Sequence, residues 1–271
     1  MAEMFEQGTI RTGDGLNLFF TRDIPHRPRG IAVLLHALAE HSGRLDAAAR
    51  ALKEAGYGVY RFDCRGHGRS DGPRGDVQNF HDYVQDAALV LEHARRAFPY
   101  TPLFLIGQGM GGLVAASYAA EHPEALAGEV TLGAAVRLFP ALGFLTEEAP
   151  HKHRERGDER FSLMLPQWRE RGEDPWSADR LMLDSVTVRL AGNVWLYGAD
   201  WFEPRVKDVV TPLFILHGED DELVPIESSR WFYEAVSSPD RSLRTYPHRS
   251  DLLNGQGEAL GDIIAWLDAH A

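Results

Sequence analysis

Three histidines, His36, His41 and His67, stand in segments that directly follow predicted buried strands. Histidine titrates near neutral pH, so a histidine that faces a cavity can move a proton during a reaction. The same side chain can instead brace a loop through hydrogen bonds to backbone groups, and the sequence leaves both roles open. No matching pattern of carboxylates accompanies these histidines, so we predict no metal site.

A glycine-rich segment follows another predicted buried strand. Residues 107–112 form the sequence Gly-Gln-Gly-Met-Gly-Gly. They lack the Lys-Ser/Thr pair of a phosphate-binding P-loop, and a dinucleotide fingerprint would stand after the first strand, with an acidic ribose partner further on. The segment therefore predicts neither a nucleotide site nor a bound cofactor.

Predicted strands alternate with predicted helices along most of the chain. The segments with a short apolar or β-branched pattern are residues 16–23, 30–35, 57–63, 102–107, 128–132, 212–217 and 242–247. The segments with a helical period are residues 44–55, 80–98, 110–121, 227–235 and 258–269. Alternation of this kind predicts an α/β protein with a mostly parallel, doubly wound sheet.

The alternation breaks at residues 135–207, which we interpret as an inserted lid between the two parts of the core, residues 1–134 and 208–271. Four of the six tryptophans lie in this insertion: Trp168, Trp176, Trp195 and Trp201. Aromatic side chains on a lid either line an apolar cavity or dock the lid onto the sheet domain. The sequence does not separate these two interpretations.

Composition excludes several classes of protein. A chain of 271 residues with 44% hydrophobic and 25% charged residues is long and apolar enough for a large packed core. The formal net charge of -12 would repel phosphate backbones and anionic membrane surfaces, so we expect no nucleic-acid partner. The single cysteine, Cys64, excludes an internal disulfide and a thiolate zinc cluster.

The first residues of the sequence carry neither the basic nor the apolar region of a signal peptide. No apolar run approaches the roughly 20 residues of a membrane span. We therefore expect a cytoplasmic protein without stable membrane insertion. A homodimer remains open at this point.

Several motifs carry a family resemblance. Residues 36–44 have the sequence His-Ala-Leu-Ala-Glu-His-Ser-Gly-Arg, and residues 63–72 have the sequence Asp-Cys-Arg-Gly-His-Gly-Arg-Ser-Asp-Gly. Together with the glycine-rich turn, residues 217–225 and residues 264–267, they resemble the α/β-hydrolase fold, and within it the monoacylglycerol lipase and lysophospholipase group. The resemblance covers nearly the whole chain and implies a sheet with an inserted helical lid and a Ser–His–Asp triad.

The resemblance places the nucleophilic serine at the centre of a Gly-x-Ser-x-Gly turn, where this sequence has Gly109. Glycine adopts the strained backbone of such a turn at little cost, so we expect the turn to persist without its nucleophile. No acyl-enzyme can then form by the family's route. The neutral amide of Gln108 supplies no nucleophile, and we expect Cys64 to be an inert buried residue.

The histidine of the family follows the last strand, in a stretch similar to residues 246–254. The stretch is one residue shorter here, and alignment from Asn254 puts Ser250 in the histidine position. His248 lies close by, and it either turns toward the site or stays on the surface. Asp221 matches the acid of the triad, and three roles are open to it: to act alone, to pair with His248, or to cap the following helix.

The resemblance also implies an oxyanion hole made by backbone N–H groups, here those of Leu38 and Met110. Main-chain donors survive changes of side chain. The family has two glycines in the first of these loops, where this sequence has Ala37 and Ala39. Those methyl groups are expected to narrow the approach or change the turn.

These features lead to a hypothesis about function. We expect a triad-deficient protein that acts non-hydrolytically, as a lyase, isomerase or cyclase, on a hydrophobic small molecule. Asp221 and His248 would move protons, and the pocket would be lined by His36, Gln108, Trp168, Trp195 and Trp201. The alternatives are an inactive ligand-binding protein and a weak esterase in which His248 and Asp221 activate water.

Overall fold

Eight strands form the main sheet of the computed structural model, which describes residues 3–137, 157–163, 170, 172, 179–247, 253 and 257–271. In chain order they are β1 (Met4–Arg11), β2 (Asn17–Ile24), β3 (Ile31–Leu35), β4 (Gly58–Phe62), β5 (Leu103–Gln108), β6 (Gly128–Leu132), β9 (Leu213–Gly218) and β10 (Arg241–Tyr246). Two three-residue strands, β7 (Arg160–Ser162) and β8 (Ser185–Thr187), form a separate antiparallel pair.

The spatial order of the main sheet is β1-β2-β4-β3-β5-β6-β9-β10. β1 and β2 pair antiparallel, as do β2 and β4, and every other neighbouring pair in the sheet is parallel. β3 and β5 lie side by side at the centre, so their carboxyl ends meet at one edge, where the connecting loops of an α/β sheet form a site.

The helices cover both faces of this sheet. They are α1 (Asp46–Glu54), α2 (His81–Ala97), α3 (Met110–Glu121), α4 (Val188–Gly192), α5 (Ala199–Phe202), α6 (Glu227–Ala235) and α7 (Glu258–His270). Between α4 and α5 the chain makes a π-helical turn over Asn193–Gly198, and a 3-10 helix over Glu203–Asp208 follows α5. These four pieces together form one helical stretch, residues 188–208.

Two apolar clusters, one on each face of the sheet, make up the core. The larger joins α2, α3 and the helical stretch 188–208 to one face, and the smaller joins α1 and α7 to the other. The parallel strands β3, β4, β5 and β6 are buried along their whole length, because helices cover them on both sides. This burial explains why β3, with the sequence Ile-Ala-Val-Leu-Leu, is a continuous apolar run.

The fold predicted from the sequence is confirmed: an α/β-hydrolase fold with a mostly parallel sheet. α3, β6 and α6 have the predicted bounds, and the other predicted elements differ at their ends by a few residues at most. The sequence analysis missed β1, an edge strand whose residues alternate between half-buried and exposed and include charged side chains. It also found no strands in the insertion, where β7 and β8 are too short for a period to be visible.

The helical stretch 188–208 packs on α3, as expected of a lid that covers the sheet domain. A Cβ atom placed on Gly198 would lie 2.9 Å from the Phe80 ring and 3.0 Å from the Leu113 side chain, so the two helices approach closely there. The hydroxyl group of Thr187 accepts a hydrogen bond from the Leu190 N–H and caps the start of α4. The bounds of 135–207 for the whole insertion remain a prediction.

Candidate active site

Gly109 forms a sharp turn between β5 and α3. Its backbone angles are φ +54° and ψ -114°, a region that residues with a Cβ atom rarely adopt. Its N–H donates to the Leu132 carbonyl at 2.9 Å, which ties the turn to the end of β6. The strained turn that the sequence predicts is therefore present at Gly109.

The flanking glycines have no room for a side chain. A Cβ atom on Gly107 would lie 2.1 Å from the Gly111 carbonyl oxygen, and one on Gly111 would lie 2.6 Å from the Leu35 carbonyl oxygen. Contacts this short exclude any other residue without movement of the backbone. The lack of side chains at Gly107 and Gly111 lets the first turn of α3 lie directly against the ends of β5 and β3.

The amides of Met110 and Leu38 are available for a ligand. Met110 is the first residue of α3, so its N–H has no acceptor within the helix, and within the described part of the chain neither amide donates a hydrogen bond. The loop that carries Leu38 is closed by hydrogen bonds between Ala37 and Glu40: the Glu40 N–H donates to the Ala37 carbonyl at 3.2 Å, and the Ala37 N–H donates to Glu40 Oε2 at 3.3 Å. The oxyanion-donor role that the family resemblance implies for these two amides stays a prediction.

The Asp221 side chain is 2% exposed, and its two oxygens differ in their contacts. Oδ1 accepts hydrogen bonds from the N–H groups of Leu223 and Val224, at 2.8 and 3.0 Å, whereas Oδ2 faces Gly133. Burial raises the pKa of Asp221 above its usual value, although the two amide hydrogen bonds oppose that shift. Asp221 therefore fixes its own turn rather than capping the following helix, and Oδ2 accepts no hydrogen bond from a described residue.

His217 lies near Asp221 without bonding to it. Its Nε2 is 3.8 Å from Asp221 Oδ2, too long for a hydrogen bond, and donates instead to the Val224 carbonyl at 2.9 Å. Its Nδ1 is 2.7 Å from the Ser229 hydroxyl. His217 is therefore a structural residue of this turn.

The structure contradicts a pocket role for His36. This side chain is fully buried; its Nδ1 lies 2.8 Å from the Ala37 carbonyl, and its Nε2 accepts a hydrogen bond from the Cys64 N–H at 3.0 Å. Burial lowers its pKa and keeps the ring neutral. With both ring nitrogens bonded to backbone groups, His36 braces two loops and cannot relay a proton.

His67 is also fully buried, and its Nδ1 lies 3.0 Å from the Arg65 carbonyl. Burial lowers its pKa to about 3, so the ring stays neutral. His41 uses Nδ1 to accept the Gly43 N–H at 3.1 Å and places Nε2 2.7 Å from Asp179 Oδ2. The bracing interpretation therefore holds for all three histidines.

The remaining predicted site residues fall into three groups. Gln108, at the end of β5, is 5% exposed, and its Oε1 has no hydrogen-bond partner among the residues that the structure describes. Trp195 is half-buried against the larger apolar cluster. His248, Ser250 and Trp168 lie outside the described residues.

Trp201 does not lie beside Gly109. Its ring packs against His81, at 5.6 Å between centroids, and His81 in turn lies 3.4 Å from the Glu121 carboxylate at the far end of α3. The Arg205 guanidinium lies over the Trp201 ring, 4.3 Å from the ring centroid. These contacts support docking of the helical stretch onto the sheet domain and correct the prediction that Trp201 lines the pocket.

Three residues that bear on the site were missed by sequence reasoning. A Cβ atom on Gly133 would lie 2.9 Å from Asp221 Oδ2, so this glycine makes room for the carboxylate. A glycine at the end of a predicted strand was the available signal. Asp179 and Leu183 contact the loop that carries Leu38 through tertiary hydrogen bonds, for which the sequence has no local signal.

Within the described ranges, no group of three or more histidine, cysteine, aspartate or glutamate side chains could hold a metal ion. In the same part of the chain, no helix is long and apolar enough to cross a membrane.

The fold and the turn at Gly109 define an α/β-hydrolase, and comparison with known proteins agrees. Residues 26–250 match the model of the serine aminopeptidase S33 family of hydrolases. The chain belongs to this family.

Relatives with an assigned activity are lipases. The chain is 28% identical over 254 residues to a monoacylglycerol lipase of Mycolicibacterium smegmatis. The matched segment covers 90% of this chain and 89% of that protein. The chain is 27% identical over 231 residues to the human monoglyceride lipase, with 81% of this chain and 74% of that protein covered. The relationship is to hydrolytic enzymes of the monoglyceride lipase kind.

Solved structures show the same fold over the whole chain. The monoacylglycerol lipase of Paleococcus ferrophilus superposes with a TM-score of 0.79 at 24% identity, covering 99% of this chain and 100% of that one. A soluble variant of the monoglyceride lipase of Saccharomyces cerevisiae superposes with a TM-score of 0.81 at 20% identity, covering 100% of this chain and 96% of that one.

Proposed function

We propose that this chain is a triad-deficient member of its family that binds a hydrophobic carbonyl compound and converts it without an acyl-enzyme, as a lyase, isomerase or cyclase. One observation carries the proposal. The turn at Gly109 keeps the strained geometry that presents the amide of Met110 at the start of α3, but it has no nucleophilic atom, and the Leu38 amide donates to no described residue. Two such donors stabilise a developing enolate or alkoxide whether or not a serine attacks.

The family relationship supports the class of ligand. Relatives are named monoacylglycerol or monoglyceride lipases, so their substrates combine an apolar acyl chain with an ester carbonyl. Glycine in place of serine removes the side chain from the turn, and the Ala37 methyl group partly fills the space that this side chain would take. A carbonyl compound could then bind in front of the turn without displacing a hydroxyl group.

Asp221 supplies a group for proton transfer. Its Oδ2 accepts no hydrogen bond from a described residue, and burial raises its pKa toward the range in which a carboxylate works as a base. Proton abstraction from the α-carbon would place negative charge on the carbonyl oxygen, where the two amides can receive it. Protonation of a different carbon of the delocalised anion by the Asp221 carboxylic acid would then complete an isomerisation and regenerate the carboxylate.

The test measures proton abstraction directly. Purified protein is incubated in D₂O with 2-dodecanone and, separately, with 1-decanoylglycerol, and mass spectrometry follows deuterium at the α-carbon and release of decanoate. The variants are Asp221→Asn, His248→Ala and, as a matched control at an exposed acid, Asp220→Asn.

We expect deuterium incorporation by the wild type and by Asp220→Asn, and its loss in Asp221→Asn. Release of decanoate that needs both Asp221 and His248 would instead establish the water-activating esterase and overturn the proposal. Absence of both reactions, with 2-dodecanone still bound by wild type and variant alike, would also overturn it in favour of a binding protein.

A second candidate, an inactive ligand-binding protein, has an observation in its favour. His36, His41 and His217 each use both ring nitrogens in structural contacts, so none of them serves as a proton relay. Under this candidate, Asp221→Asn leaves affinity unchanged and no variant shows turnover.

A further inference from the structure

Two hydrogen bonds join the loop that carries the Leu38 amide to residues 179–183. The Leu183 N–H donates to the Ala39 carbonyl at 2.9 Å. His41 Nε2 lies 2.7 Å from Asp179 Oδ2. Because His41 Nδ1 accepts the Gly43 N–H, the ring proton is on Nε2, and His41 donates to the carboxylate. The loop is thus held at two points just after Leu38, the proposed oxyanion donor.

Residues 179–183 form an ordered turn built around Asp179. Asp179 Oδ1 accepts the Leu181 N–H at 3.0 Å, and the Asp179 carbonyl accepts the Met182 N–H at 3.2 Å. Burial opposes ionisation of Asp179, but the hydrogen bonds from His41 and Leu181 outweigh it and hold its pKa below the usual value. One carboxylate therefore fixes the turn with one oxygen and holds the loop with the other.

The loop needs such support because its backbone is strained. Ala39 has φ +69° and is buried, with 1% of its surface exposed. A residue with a Cβ atom is strained in a left-handed conformation, so the loop would relax toward other conformations if released. The bonds at Ala39 and His41 lie directly after Leu38 in the chain and oppose that relaxation.

We propose that Asp179 is a positioning residue, which acts through His41 to hold the Leu38 amide in place as an oxyanion donor. The donor role of Leu38 rests on the function proposed above, whereas the attachment of the loop to Asp179 does not. Asp179 itself touches no reacting atom in this proposal.

The first measurement is hydrogen exchange of the full-length protein, resolved by mass spectrometry of peptides. The variants are Asp179→Ala, Asp179→Asn, which retains an acceptor for His41, and Asp184→Ala as a matched control at an exposed acid in the same region. We expect Asp179→Ala to speed exchange of residues 37–41 at least tenfold, Asp179→Asn to restore part of the protection, and Asp184→Ala to have no effect. Exchange in α3, which carries the Met110 amide, should stay unchanged and shows that the fold is intact.

The second measurement is the affinity for decanoate, whose carboxylate can accept from both amides, by titration calorimetry. We expect Asp179→Ala to weaken binding about tenfold, with partial rescue by Asp179→Asn. Unchanged exchange of residues 37–41 in Asp179→Ala would overturn the proposal, as would faster exchange with undiminished affinity. If even the wild type does not bind decanoate, the proposed function fails, and the exchange result still decides whether Asp179 fixes the Leu38 amide.

Discussion

The Ala37 methyl group lies 3.2 Å from the position that a Cβ atom on Gly109 would take. This distance is shorter than an ordinary contact between carbon atoms, so the two small residues fit each other. The sequence has alanine where the family has glycine, and glycine where the family has serine. The pair together determines the shape of the space in front of the oxyanion donors.

We therefore expect that serine cannot simply be restored. Gly109→Ser should destabilise the protein by about 1–3 kcal/mol, because the residue would hold a strained backbone and crowd Ala37. In an Ala37→Gly background the same change should cost at least about 0.5 kcal/mol less. Urea denaturation of the four proteins measures this coupling, with Gly109→Ala to separate the effect of the Cβ atom from that of the hydroxyl. Equal costs in both backgrounds would show that the contact carries no energy.

The left-handed conformation of Ala39 leads to a second prediction. Ala39→Gly should stabilise the folded protein by about 1–2 kcal/mol, because glycine is not strained at positive φ. The greater entropy of the unfolded chain opposes this by about 0.4–1 kcal/mol, and the loss of a buried methyl group by about 0.8 kcal/mol. These terms nearly cancel, so we expect stability within about 1 kcal/mol of the wild type. Ala39→Val should cost more than about 2 kcal/mol, because a β-branched residue is a poor fit at positive φ. Chemical denaturation distinguishes the two, and a well-tolerated valine would contradict the strain.

Glu129 gives the protein a predicted dependence of stability on pH. It lies on β6 between Leu105 of β5 and Leu213 of β9, it is fully buried, and neither carboxyl oxygen has a hydrogen-bond partner among the described residues. Burial alone raises its pKa from 4.5 to about 8. The carboxyl group is therefore protonated in the folded protein at neutral pH but ionised in the unfolded chain.

A raised pKa in the folded state means that the contribution of Glu129 to stability is fully present below pH 4.5 and is lost as the pH rises toward 8. The free energy of unfolding should fall by up to about 1 kcal/mol per pH unit across this window. Glu129→Gln should remove that slope, whereas Glu234→Gln, at an exposed position of α6, should leave it. Urea denaturation from pH 5 to 8 makes the comparison, and identical slopes in wild type and Glu129→Gln would contradict the assignment.

Cys64 should be inert in the native protein. Its side chain is 1% exposed, and burial raises the pKa of its thiol well above the usual value, so little thiolate forms. We expect iodoacetamide at pH 8 to leave the folded protein unmodified over a time in which the urea-unfolded protein reacts fully. Intact-mass spectrometry reports the adduct. Rapid labelling under native conditions would show that the region around Cys64 opens.

The position of the turn at Gly109 could be predicted from the sequence, whereas the surroundings of His36 and Trp201 could not. Gly109 and the amide of Met110 could be located because a strand, a glycine-rich turn and a helix are local in sequence. The sequence left the contacts of His36 open, because the amide that occupies its Nε2 belongs to Cys64, in the loop that follows β4. Trp201 was assigned to the pocket on composition alone, and its ring packs at the far end of α3 instead.

The sequence by itself determined the alternation of strands and helices, the glycine-rich turn and the absence of a nucleophile at position 109, because each depends on residue type and local period. Only the tertiary structure decided which polar groups remain free. Hydrogen bonds between distant segments occupy the histidines, hold Asp179 against His41 and leave Oδ2 of Asp221 without a described partner. These bonds form where loops from different strands converge, and no local sequence pattern encodes which loops will meet.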